Sequence, residues 1–223
     1  MDVGKSFSYV FEDEQWLTKV LIGGLFMLAS VVLVGIPFVL GYIVETLRNI
    51  MEGQAKPLPE WVDLGEKFKK GLLLAAILIV WGIPIWIIAC FQVVVTAIIR
   101  DSSSLAGLVT IVSCLTSILI ILWSIIMALF EPAIFTRFAL KPEFSSGFAF
   151  EELWRFTVDN IGNVIIAVLL SVVASVLASF GVILCGVGVF LTSFWAYLVM
   201  AHLFGQVYLQ RKGGAGEELT AAL

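Results

Sequence analysis

Residues 72–99 read LLLAAILIVWGIPIWIIACFQVVVTAII, a run from Leu72 to Ile99 without one Asp, Glu, Lys or Arg. This stretch decides the fold class. A bilayer core of about 30 Å needs about 20 consecutive, mostly apolar residues in a helix, and in hydrocarbon a lone segment satisfies its backbone only as a helix. Three further runs pass the same test: Leu105 to Phe130, Ile161 to Phe180 and Val189 to Leu209. The 223-residue chain is 61% hydrophobic and 13% charged, where a soluble domain carries about 25% charged residues. A globule of this size leaves too much surface in water for such a composition, so lipid is the missing solvent. The expected fold is all-α: a polytopic transmembrane helical bundle with six hydrophobic helical segments, the first pair short or re-entrant, and amphipathic interfacial helices.

The first apolar stretch, Val20 to Leu47, is interrupted by Gly35-Ile36-Pro37 and is open to three readings: one crossing, two crossings or re-entry. As a single helix it would be about 42 Å long, enough for one tilted crossing. As a hairpin, Leu17 to Val34 and Phe38 to Ile50, its second arm of about 20 Å is short for a crossing. Positive charge favours the hairpin. With it, twelve of the thirteen basic residues share one side and only Arg100 lies opposite, whereas a single crossing gives ten to three. Lys and Arg concentrate in cytoplasmic loops, so both termini are expected in the cytoplasm and the chain in a prokaryotic inner membrane. Residues 1–210 read as one integral membrane domain and 211–223 as a flexible hydrophilic tail.

Three segments mix aromatic and charged residues next to apolar runs: Phe7 to Trp16, Glu60 to Lys70 and Phe148 to Phe156. This pattern is expected of helices lying at the interface, with Trp16, Trp61 and Trp154 as anchors among the headgroups. Helix breaks are expected at Gly35 and Pro37, at Gly82 and Pro84, and at Gly186 and Gly188, because Pro removes an amide donor and Gly weakens a helix. A helix–break–helix unit would then occur three times.

Chemistry-bearing residues are few. The net charge of −4 excludes a basic nucleic-acid binder. Cys90, Cys114 and Cys185 are scattered through apolar runs, in no disulfide or metal-ligand spacing. Glu12, Asp13 and Glu14 precede the first apolar run where a signal peptide carries basic residues, so a retained N-terminus is expected. Glu131 precedes Pro132 at the end of the third run, within reach of Arg137, and an ionisable group there is a candidate by default. Glu45 and Arg48, three residues apart, are placed to pair on one helix face. Gln92 is the carboxamide deep in a span, and His202 shares a face with Gln206. No nucleophile elbow, phosphate loop or two-histidine metal motif occurs. No cofactor or metal is expected.

Phe11-Glu12-Asp13-Glu14-Gln15-Trp16, Gly41-Tyr42, Leu58-Pro59-Glu60-Trp61, the Phe68 to Leu72 segment, Cys185-Gly186-Val187-Gly188, Ala196-Tyr197 and Ala201 to Gln206 together resemble a prokaryotic polytopic membrane family, domain of unknown function 4013. Phe130-Glu131-Pro132-Ala133 through Phe150 also resembles the membrane domain attached to some glycerophosphodiester phosphodiesterases, without their catalytic domain. Such a relation implies a shared scaffold and no activity. The leading expectation is a non-enzymatic scaffold or accessory subunit that binds membrane lipids or other membrane protein subunits. A small transporter or channel is the alternative. A lipid-headgroup enzyme, the third class, needs several of Glu12, Asp13, Glu131, Glu151, Glu152 and Asp159 to converge.

Overall fold

The computed structural model describes the backbone of residues 1–99, 106–183 and 186–221; the side chains of Ala106 and of residues beyond 212 lie outside the description. Arg100 and Cys185 lie outside the described residues. The elements are α1 (Val3–Ser8), a 3-10 turn (Tyr9–Glu12), α2 (Trp16–Ala29), a 3-10 turn (Ser30–Val32), α3 (Ile36–Met51), α4 (Leu64–Ile99), α5 (Ala106–Leu140), a 3-10 turn (Phe144–Phe148), α6 (Phe150–Asp159), α7 (Ile161–Ser179), a 3-10 turn (Phe180–Ile183) and α8 (Gly188–Ala221). No strand occurs among the described residues.

Four helical stretches are long and apolar enough to cross a membrane: Leu64–Ile99, Gly107–Leu140, Ile161–Ile183 and Gly188–Lys212. The chain is a multi-pass membrane protein. The six hydrophobic helices are α2, α3, α4, α5, α7 and α8, but α2 passes that test only together with the α1 segment, across a 99° bend, and α3 is too short. The first apolar stretch breaks between Ser30 and Gly35, where Leu33 takes a left-handed φ of 66° and the Gly35 N–H donates to the Ala29 carbonyl. Pro37 then sits in the first turn of α3, where its missing amide costs nothing.

The core forms where α3 meets the stretch of α8 from Phe194 to Val207. Eleven of the 16 residues of α3 are buried, and Phe194, Leu198, Val199, Leu203, Phe204 and Val207 of α8 are enclosed with them. Small residues permit the contacts. A Cβ on Gly41 would run into the Lys67 backbone, and one on Gly71 into Pro37, so α3 and α4 touch main chain to main chain. By contrast, the distal parts of α4 and α5 form a two-helix arm exposed on most sides, with Trp86, Ile87, Val93, Ile98, Ile111, Leu115 and Ile121 outward. Apolar character all round is what lipid requires of a helix.

Four expectations are corrected. Gly82 and Pro84 do not break the helix: α4 is continuous from Leu64 to Ile99 with Pro84 inside it, because losing one amide donor is tolerated where nothing else competes for the remaining backbone bonds. A helix–break–helix unit therefore does not occur three times; the breaks are at Gly35 and around Gly186, whose φ is +75°, with α8 starting at Gly188. The second aromatic and charged segment is no separate helix, since residues from Leu64 onward are the first turns of α4. The third apolar helix does not end at Phe130 but continues through Pro132 to Leu140. The backbone of α8 continues to Ala221.

Candidate functional site

The aromatic and charged segments near the N-terminus fold inward. The Lys19 ammonium, enclosed at 4% exposure, donates to the Asp13 carboxylate at 2.9 Å and the Leu58 carbonyl at 3.0 Å, and lies 2.8 Å from Glu60. Trp61 donates its indole N–H to the Lys19 carbonyl at 2.9 Å and stacks on Tyr42 and Phe26, with centroids 4.3 and 4.9 Å apart. Tyr42 in turn donates to the Pro59 carbonyl at 2.9 Å. Trp61 is thus a packing residue of the core rim. Trp16 is half-buried edge-on to Phe11. Trp154 on α6 is exposed. Burial pushes the Asp13 carboxyl up, but hydrogen bonds from Lys19 and the Gln15 N–H, with the Lys19 charge, hold it below the usual carboxylate range.

Two of the polar candidates are engaged within the protein. The Gln92 carbonyl oxygen accepts from the Thr116 hydroxyl at 2.9 Å, tying α4 to α5. His202 is buried: its Nδ1 is 3.0 Å from Ser6 Oγ, and Tyr9 stacks on its ring at 4.5 Å. The Asp2 N–H donates to Gln206 Oε1 at 2.7 Å, and Gln206 Nε2 donates back to the Asp2 carbonyl at 2.8 Å. These bonds latch α1 along the second half of α8. The expected pair of Glu45 with Arg48 does not form. Arg48 pairs with Glu52, one turn on, while Glu45 turns to Lys67 at 2.5 Å and Lys70 at 3.3 Å, where α4 crosses α3.

Glu131 differs from both. Because α5 runs on for nine residues to Leu140, the carboxylate lies about 14 Å before the helix end and not at its boundary. Arg137 does not reach it, being paired with Glu152. Among the described residues Glu131 has no hydrogen bond or salt bridge. It lines a cleft of about 610 Å³ between α2, α5, α7 and α8.

A second cavity, about 280 Å³, lies where the last turns of α5 meet α6 and α8. Arg137, Arg155, Arg211 and Tyr208 line it together with Glu152. The Nε of Arg137 is buried there without a hydrogen-bond partner. Arg211 lies 5.5 Å over the Phe156 ring and only loosely near Asp159, at 3.8 Å. From the sequence, Arg137 is expected beside Glu131, and Arg155 and Arg211 bear on orientation alone. Their common place at the ends of apolar runs was the available signal. The loop carboxylates do not converge: Glu12 pairs with Lys5, Asp13 with Lys19, Glu151 with Arg155, Glu152 with Arg137 and Asp159 with Arg211. No cluster of three or more His, Cys, Asp or Glu suited to a metal occurs among the described residues.

This arrangement defines a multi-pass helical membrane protein with a broken first hairpin, an apolar cleft holding one carboxylate and an arginine-lined cavity. The sequence matches the family model described as protein of unknown function (DUF4013) over residues 24–187, and the chain belongs to that family. No curated protein and no solved structure matches it. The resemblance to the membrane domain of glycerophosphodiester phosphodiesterases is not shown by these comparisons.

Proposed function

We propose that the protein is a non-enzymatic membrane scaffold or accessory subunit of a prokaryotic inner membrane, and that it binds anionic lipid headgroups on its cytoplasmic face at the corner of α5, α6 and α8. The observation that carries this reading is the arginine-lined cavity with the unpartnered Arg137 Nε. A guanidinium offers a planar fork of donors suited to phosphate, and a buried donor left unpaired costs about 1–3 kcal/mol, so an incoming phosphate oxygen recovers that cost. Trp154 and Phe150, both exposed on α6, extend the corner toward the headgroup layer. The carboxylates sit in separate ion pairs, which lends no support to a headgroup enzyme. Gln92 and His202 are committed to side-chain partners, which gives a transporter reading little to build on at those two positions.

The test is lipid retention. The full chain is reconstituted in nanodiscs of phosphatidylcholine with and without phosphatidylglycerol, released, and weighed by native mass spectrometry. Phosphatidylglycerol should remain bound preferentially, and Arg137→Gln should reduce its retention about tenfold. Equal retention of both lipids by the wild-type protein overturns the proposal.

A further inference from the structure

Glu131 presents a charge problem that none of the described residues solves. A carboxylate at bilayer depth is costly unless compensated, and the cleft neighbours Tyr197 and Met200 fall at the middle of the Gly188–Lys212 span. Arg137 is taken by Glu152, Lys19 by Asp13 and Glu60, and Lys67 and Lys70 by Glu45. A second acceptor lies beside the first. Pro132 has no amide N–H, so the Ala128 carbonyl, one turn earlier in α5, lacks its usual helical donor, and Ala128 lines the same cleft.

The rest of the wall is apolar apart from hydroxyls: Tyr197 and Ser193 each bring one that both donates and accepts, while Ser171 and Ser179 give their protons to α7 carbonyls. Met27 and Met200 supply flexible thioether surface, and Ser175, on α7, spends its proton on the Ser171 carbonyl at 2.9 Å, which leaves its oxygen as an acceptor. The cleft therefore sets one carboxylate beside hydroxyl and carbonyl oxygens inside an apolar shell. Its volume of about 610 Å³ suits one small organic molecule.

From this geometry we infer that the Glu131 cleft binds an amphiphile carrying a single positive head group, with the cation against Glu131 and the Ala128 carbonyl and the apolar body along Met27 and Met200. This site is separate from the arginine corner. A ligand of this class enters from the lipid phase, where its apolar part already partitions.

The probe is radiolabelled tetraphenylphosphonium, a permanent lipophilic cation, with the full chain in phosphatidylcholine nanodiscs. The wild-type protein should bind it saturably, at about one per chain above empty nanodiscs. Glu131→Gln keeps shape and removes charge, and should weaken binding about tenfold or more, while Glu131→Asp retains most of it. Ser175→Phe, which fills the cleft from α7, should abolish binding with Glu131 in place. Arg137→Gln should bind the cation normally while losing phosphatidylglycerol, which separates failure of this site from failure of the arginine corner. Unchanged affinity in Glu131→Gln, or no saturable binding by a wild-type protein with an intact thermal transition, overturns the inference.

Discussion

Lys19 shows how far a single residue in this protein departs from the surface role that its type usually has. Its ammonium is enclosed and shared between Asp13, Glu60 and the Leu58 carbonyl, and its own carbonyl receives Trp61. Removing one partner of such a buried pair leaves the other uncompensated, at a cost of about 3 kcal/mol. Lys19→Met should therefore lower the thermal midpoint in detergent and release Trp61, seen as a red shift of tryptophan emission. Acid should act on the same lock. Asp13, which lies outside the four spans, titrates below its ordinary value, so its contribution is complete above the unfolded pKa of about 4. That contribution is lost as pH falls from there through the lower folded value. Melting temperatures of the wild-type protein should decline below about pH 4, and Asp13→Asn should flatten that part of the profile. A wild-type profile parallel to that of Asp13→Asn would refute the lock.

At the scale of elements, the contact of α3 with α4 depends on two glycines. Gly41 and Gly71 face the opposing backbone so closely that any side chain must push the helices apart, and overpacking of this kind costs about 1–3 kcal/mol or more. Gly71→Val should lower the midpoint of thermal unfolding and loosen the Glu45–Lys67 pair beside it. Gly65→Ala is the control: nothing lies within 4 Å of its added Cβ, and alanine favours a helix over glycine by about 1 kcal/mol, so stability should hold or rise. Equal melting of the two variants would remove the close-contact account. The four spans and the break at Gly35 were legible in the sequence, because length and apolar continuity set the first and Gly-x-Pro chemistry the second. The continuity of α4 through Pro84 and of α5 through Pro132 was not. A proline breaks a helix readily where water can take over its backbone bonds, and apolar surroundings remove that alternative. The same misreading placed Glu131 at a boundary, since its depth depends wholly on whether α5 stops or continues. Pairings such as Glu45 with Lys67 were also hidden, because two helices distant in sequence create them and local spacing indicates only Arg48.

The placement of the whole molecule in the membrane follows from its two ends. Asp2 is hydrogen-bonded to Gln206, six residues before the fourth span ends at Lys212, so the N-terminus lies near the level at which that span ends. The four spans α4, α5, α7 and α8 are even in number, which returns the end of α8 to the side on which α4 begins. We propose that the bent α1 and α2 pair and the short α3 form a hairpin without a net crossing, in place of the single crossing that the bent pair could also make. This agrees with the positive-charge count that favours a hairpin over a single crossing. It yields a test independent of any ligand. In a chain with Cys90, Cys114 and Cys185 replaced by alanine, single cysteines at Lys5 and at Lys212 should show the same sidedness toward a membrane-impermeant maleimide: protected in intact spheroplasts and labelled in inside-out vesicles. If the two positions label from opposite sides, the first hairpin crosses once. The latch of Asp2 on Gln206 then cannot exist in the membrane, because one fully extended chain end cannot bridge two faces separated by about 30 Å while α1 remains packed along α8.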